Sequence, residues 1–179
     1  MIELPLIQSG LEIGIIDISN QTIDTKSANS IYFSCTSRTD CCSYLKIPVT
    51  EFDIHRIETA GYDLFQIIAS DSPMVMNRIN SQVHEKVYTL KKKPYDNTCT
   101  FLEDNLCKIH KVKPFACRIY PFSLDILDKN RIRIIIHNDV VCKSILSKND
   151  KQSNNRELLE DILNLVVTEL NERGIPIID

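Results

Sequence analysis

Cys99-Thr100-Phe101-Leu102-Glu103-Asp104-Asn105-Leu106-Cys107, continuing to Pro114-Phe115-Ala116-Cys117-Arg118-Ile119-Tyr120-Pro121-Phe122, is the stretch on which the reading of this chain turns. A second block, Cys35-Thr36-Ser37-Arg38-Thr39-Asp40-Cys41-Cys42, lies more than fifty residues upstream, and Cys142 is the seventh cysteine. Thiols grouped at short spacings in two distant blocks suit soft ligands that folding gathers around a metal ion or an iron–sulfur cluster. An odd count cannot pair completely within one chain, and a reducing compartment favours ligation over structural disulfides. The alternatives are three disulfides with one free thiol, or inert buried cysteines.

The metal candidates are therefore Cys35, Cys41, Cys42, Cys99, Cys107, Cys117 and Cys142. A tetrahedral zinc site or a 4Fe–4S cluster usually takes four protein ligands. The spacings C-x5-C, C-C, C-x7-C and C-x9-C contain no pair of C-x2-C knuckles, so they leave the metal open between an iron–sulfur cluster, with 4Fe–4S placed first, and zinc. Adjacent side chains tend to diverge, which gives Cys41 and Cys42 two different centres or leaves one of them unligated. The first set is Cys35, Cys41, Cys107 and Cys117, with Cys42, Cys99 and Cys142 left for a second, incomplete centre.

Local signals place these loops in an α+β chain, with a small antiparallel sheet, helices and metal-binding cysteine loops. Glu103-Asp104-Asn105 reads as a turn just before Cys107, and Lys111-Val112-Lys113-Pro114 opens a short helical segment carrying Cys117 and ending at Tyr120-Pro121. Thr98 to Leu102 is expected to pair with a strand over Val83 to Leu90. Phe122 to Leu127 and Arg131 to His137 form a hairpin around Asp128-Lys129-Asn130. Leu11 to Ile18 is a strand, Ser19 to Ser30 a loop, and Cys35 to Ser43 a loop running into a helical turn. Thr50 caps a helix whose first turn holds Glu51 and Asp53 and whose end is Gly61. A short helical piece follows over Asp63 to Ser70, and another over Val140 to Leu146 carries Cys142. Glu157 to Leu170 is the clearest helix, with Leu158, Ile162, Leu165, Val166 and Glu169 as its stripe and Gly174 beyond its end.

With 179 residues and 43 % hydrophobic composition, the chain can bury a core without metal and is simplest as one domain, a cysteine-cluster core over about 31–145 plus a C-terminal helix over about 154–173. It shows neither an apolar stretch of membrane-spanning length nor a secretory leader, which leads us to expect a cytoplasmic protein. Net charge is −3, so no specific nucleic-acid binding is expected; a protein partner is left open. His84 to Arg118 holds eight basic against four acidic residues, whereas Asp150 to Asp179 holds three against seven. The basic segment would offset thiolate charge, although Lys91-Lys92-Lys93 reads first as an exposed loop.

These residues resemble the CxxCxxCC cysteine-cluster family, a zinc- or iron-chelating domain often called YkgJ-like. The resemblance runs from Phe33 to Cys142. It rests on Cys99-Thr100-Phe101-Leu102, Cys107-Lys108-Ile109-His110, Lys113-Pro114, Cys117-Arg118 and Tyr120-Pro121-Phe122, with Phe33 and the Cys41-Cys42 doublet supplying the first block. Three positions depart from the pattern. Arg38 stands at the second cysteine of the string and, being always protonated, cannot ligate. His110 stands at a usual tyrosine, as a ligand or as a packing substitute, and Lys113 at a usual arginine. Arg118 is a candidate cofactor-binding residue, contacting a cluster sulfur or an anionic substrate, or else a surface ion pair. Tyr120-Pro121-Phe122 packs the metal loop against the hairpin.

The resemblance implies a thiolate site with a structural, electron-transfer or metal-handling role. Larger relatives associated with flagellin lysine N-methylation make an S-adenosylmethionine-dependent protein lysine N-methyltransferase the enzymatic alternative. Only four glycines occur and no G-x-G cofactor loop is present, which speaks against it. A zinc-stapled protein-interaction module is the third reading.

Overall fold

The computed structural model describes residues 10–25, 30–33, 40–69, 73–77, 84–137, 145–148 and 155–177. In chain order its elements are β1 (Gly10–Asp17), β2 (Thr22–Thr25), β3 (Ser30–Phe33), α1 (Asp40–Tyr44), β4 (Pro48–Thr50), α2 (Glu51–Thr59) and α3 (Leu64–Ile67). There follow β5 (Met74–Asn77), β6 (His84–Thr89), β7 (Leu102–Glu103), β8 (Leu106–Cys107), α4 (Phe115–Ile119), β9 (Ser123–Ile126), β10 (Arg131–His137), β11 (Ile145–Lys148) and α5 (Asn155–Glu172). The class is α+β, with small antiparallel sheets.

One layer is the sheet β2-β1-β10-β9, covered by α5. β9 and β10 form the expected hairpin, since Ile132, Ile134 and Ile136 alternate into the core while Arg133 turns outward to Asp125. The alternation of β1 is weak in sequence because its pairing register shifts between Glu12 and Gly14. That bulge inserts Ile13 as an extra residue and lets Ile13 and Ile16 both reach the same core. Gly14 is required where β1, β2 and α5 converge: a Cβ there would stand 2.5 Å from the Asp24 carbonyl oxygen and 2.6 Å from Leu159 Cδ1.

α5 lies where its periodicity places it, but rotated from the expected stripe. Its buried residues are Asn155, Leu159, Ile162, Leu163, Val166, Glu169 and Leu170, with Leu158 and Leu165 only flanking the core. Leu158 and Leu159 both fit helical spacing to Ile162, and contact with the sheet selects Leu159. Gly174 ends the helix at φ +65°, with Gly174 N–H donating to Asn171 O and Ile175 N–H to Leu170 O, the two bonds of a Schellman motif.

Two expectations fail in this half. Ser19 to Ser30 is not all loop, because Thr22–Thr25 pairs with β1 after a turn with Gln21 at φ 51°. Ile145 and Leu146, expected in a helix, belong instead to β11, which pairs with β3. Both strands are only four residues long, and their partners define them.

The other layer is the sheet β4-β6-β5 with α2, α3 and the segments around the cysteines. β6 pairs with β4 and β5 rather than with Thr98–Leu102, which reaches the strand region only through an isolated Lys92↔Cys99 bridge. Thr50 caps α2 in a full capping box with Asp53, and Gly61 follows at φ 95°.

Leu159 is fully buried between α5 and the sheet. Leu159→Ala is expected to cost about 2–5 kcal/mol, read as a lowered denaturation midpoint; an unchanged midpoint would contradict this account of the core.

Candidate metal centre

Four separate segments deliver the cysteines. Cys41 and Cys42 ride on α1, only five residues long, and Cys99 is tied to it by its N–H, which donates to Cys42 O at 2.8 Å. The β7–β8 hairpin turns through Asp104 (φ 49°) and Asn105 (φ 59°), the left-handed pair that a two-residue loop favours, and so presents Cys107 on its return strand. Cys117 follows Pro114 by three residues, as expected, and its N–H donates to Pro114 O at 2.9 Å.

All five of these cysteines line one small cavity of about 30 Å³, together with Ile47, Leu90, Ile109 and Lys113. Cys99 is buried and the other four are half-buried, all as free thiols. Cys41 and Cys42 do not diverge: helical neighbours are about 100° apart rather than opposed, and their Sγ atoms stand 4.0 Å from each other. Tetrahedral ligands at about 2.3 Å from zinc lie roughly 3.8 Å apart, so this separation leaves either sulfur within reach of one ion. It does not suit a disulfide, because adjacent Cα atoms at about 3.8 Å fall short of the usual range. In the positions described, no group of three or more His, Cys, Asp or Glu side chains could hold an ion outright. The donor set is thus assembled by type around one cavity, and closing on an ion requires the sulfurs to draw inward.

The electrostatics follow from burial. Burial pushes the Cys99, Cys107 and Cys117 thiols up, and the charges of neighbouring sulfurs add to the rise, while Lys113 opposes it at Cys107 and Cys117. The Cys41–Cys42 contact splits its pair: the Cys42 thiol stabilises a Cys41 thiolate, pulling Cys41 down to about 6 and pushing Cys42 up. Thiols held protonated in an apolar pocket must release protons to ligate, which makes binding stronger as pH rises.

Around this cavity lies a support that the sequence did not reveal. Lys92 Nζ donates to Ser43 O at 3.2 Å, near the end of α1, and Lys93 Nζ donates to the Leu102 carbonyl. The Lys91–Lys93 run is therefore not a merely solvated loop; two of its ammonium groups brace the cysteine segments. Asp53, only 1 % exposed, accepts the Phe115 N–H at 2.9 Å, which opens α4 two residues before Cys117. Arg56 bonds Asp53 at 2.7 Å and the Lys113 carbonyl at 3.1 Å.

The remaining candidates stand elsewhere. Arg118 points to α5, with its guanidinium 3.3 Å from Glu169, so it is engaged in an ion pair rather than turned to the thiols. His110 is exposed and does not line the cysteine cavity; it lines an adjoining surface pocket that shares Cys107 and Ile109 with it. Cys35, Arg38 and Cys142 lie outside the described residues.

A family model described as a "Putative zinc- or iron-chelating domain" matches residues 34–143, a span that contains all seven cysteines. The chain belongs to the CxxCxxCC family. No curated protein and no solved structure matches it. In this CxxCxxCC chain the apolar members of the motif are core: Phe101, Leu102 and Ile109 are buried beside the cysteines. Phe122 is buried in the opposite cluster and meets Phe33 edge-on at 5.4 Å between ring centroids, which joins the lead of the first cysteine block to the end of the second. Lys113 places a cation on the cavity wall.

In metal-free, reduced protein, brief alkylation is expected to modify Cys41 before Cys99 and Cys117. Its rate should rise as pH passes 6, because the thiolate is the nucleophile. Peptide mapping by mass reads the order; Cys117 reacting first would contradict it.

Proposed function

We propose that this CxxCxxCC domain holds one metal ion, zinc in the first instance, on thiolates drawn from Cys41, Cys42, Cys99, Cys107 and Cys117, in a structural or metal-handling role. The observation that carries this is the convergence of five cysteines from four segments on a single cavity. The 4.0 Å between the Cys41 and Cys42 sulfurs brings both within reach of one tetrahedral ion, which favours a mononuclear site. The sequence spacings leave cluster and zinc both open, with 4Fe–4S placed first.

The donors match a soft or borderline cation: thiolates for charge and Ile47, Leu90 and Ile109 to thin the water around them. Lys113 offsets part of the excess negative charge that four thiolates place on a divalent ion. Cys99, Cys107 and Cys117 each come alone from their segments, and the fourth place falls to either member of the Cys41–Cys42 pair.

Anaerobic purification with elemental and sulfide analysis tests this reading. One zinc or iron per chain without sulfide is expected; brown protein with stoichiometric sulfide would replace the mononuclear site with a cluster, and no bound metal would end the proposal. Cys99→Ser, Cys107→Ser and Cys117→Ser should each abolish stoichiometric binding. Cys41→Ser and Cys42→Ser should each bind more weakly, and the double variant not at all. Full metal content in Cys117→Ser would show that the cavity is not the site.

A further inference from the structure

We infer that Asp53 and Arg56 are positioning residues for the thiolate site, and that through Glu169 they couple metal loading to the seating of the C-terminal helix α5. The inference rests on the metal reading above and goes beyond it, because none of these side chains lines the cysteine cavity.

The geometry is a bracket around Pro114. On one side Arg56 Nη2 donates to Lys113 O at 3.1 Å; on the other Asp53 Oδ1 accepts Phe115 N–H at 2.9 Å. The same two side chains are joined to each other at 2.7 Å, so the three residues Lys113–Phe115 are gripped as a unit. That unit carries the cavity's lysine and fixes the first turn of α4, and with it Cys117. A five-residue helix has no stability of its own, so its orientation comes from such external ties.

The other face of the bracket belongs to α5. Arg56 Nη1 donates to Glu169 at 3.0 Å and to Glu172 at 3.2 Å, and Arg118, next to Cys117, reaches Glu169 at 3.3 Å. Glu169 is 3 % exposed and also accepts from Arg173, which in turn bonds Glu85 on β6 and Thr50 at the start of α2. Every segment of this cluster is packed against another, so a sulfur drawn inward at Cys117 pulls on α4, on Asp53 and Arg56, and on the anchored turn of α5. Coupling of this kind is reciprocal: what seats α5 tightens the metal site, and metal in the site protects α5.

Zinc affinity, measured by chelator competition in Arg56→Lys, Asp53→Asn and Glu169→Gln, tests the inference alongside hydrogen exchange of α5. Losses of about 10- to 100-fold are typical when a residue that orients a metal ligand is removed. We expect a loss of that order in Arg56→Lys and Asp53→Asn and a smaller one in Glu169→Gln, with far-UV circular dichroism unchanged. Arg131→Gln, which breaks only an exposed pair with Asp128, should keep the parent affinity. Chelation should accelerate exchange across residues 155–172 in the parent chain, and less so in Arg56→Lys. If Asp53→Asn does not fold, the other two variants decide. Parent affinity in both, or α5 exchange indifferent to chelation, overturns the coupling alone. A parent chain that takes up no metal overturns the metal reading and this inference together.

Discussion

A carboxylate with almost no contact with water sits where the two halves of this molecule meet. Asp53 commits one oxygen to Thr50, through its N–H at 3.1 Å and its hydroxyl at 2.9 Å, and the other to Arg56 and Phe115 N–H. Burying such a charge is costly unless its partners are all in place, and removing one partner of a buried pair typically costs about 3–5 kcal/mol. The cluster therefore specifies an arrangement more than it adds net stability. It fixes the relation among α2, α4 and α5, the elements that connect the isoleucine-rich sheet to the cysteine-bearing layer.

The rest of the architecture is arranged around that fixed point. On one side, aliphatic side chains of β1, β10 and α5 form a core that contains no cysteine. On the other, Val49, Ile57, Ile67, Phe101 and Ile109 form a smaller core into which the cysteines are packed. The cysteine segments are mostly turns and two-residue strands, held by backbone bonds to one another and by lysine ammonium groups on carbonyl oxygens. Their geometry is thus set by the frame before any ligand chemistry is asked of them.

Features encoded within a few residues were legible in the sequence. The Asp128-Lys129-Asn130 hairpin, the Thr50 cap, the Asp104-Asn105 turn, the short helix after Pro114 and the Gly174 terminus each depend on a local backbone preference, and each is present. What the sequence hid depends on distance along the chain. The partner of Arg56 is Glu169, 113 residues away, and that of Arg118 is 51 residues away. β2 and β11 lack a strong strand pattern, and β3, though rich in strand formers, is only four residues long; all three are defined by pairing. The cysteines were legible as ligand candidates by type. That folding gathers the two blocks was expected; that Cys42 and Cys99, set aside for a second centre, line the same cavity as Cys41, Cys107 and Cys117 was not, because loop spacing does not reveal which way each turn faces.

The apolar wall of the cysteine cavity has a consequence in time as well as in affinity. Ile47, Leu90 and Ile109 line the cavity beside the sulfurs, but Cys41, Cys42, Cys107 and Cys117 are only half-buried, so water is thinned at the site rather than shut out. An occupant of such a site would leave one thiolate at a time, passed to an incoming donor at the half-buried cysteines, with buried Cys99 the last to let go.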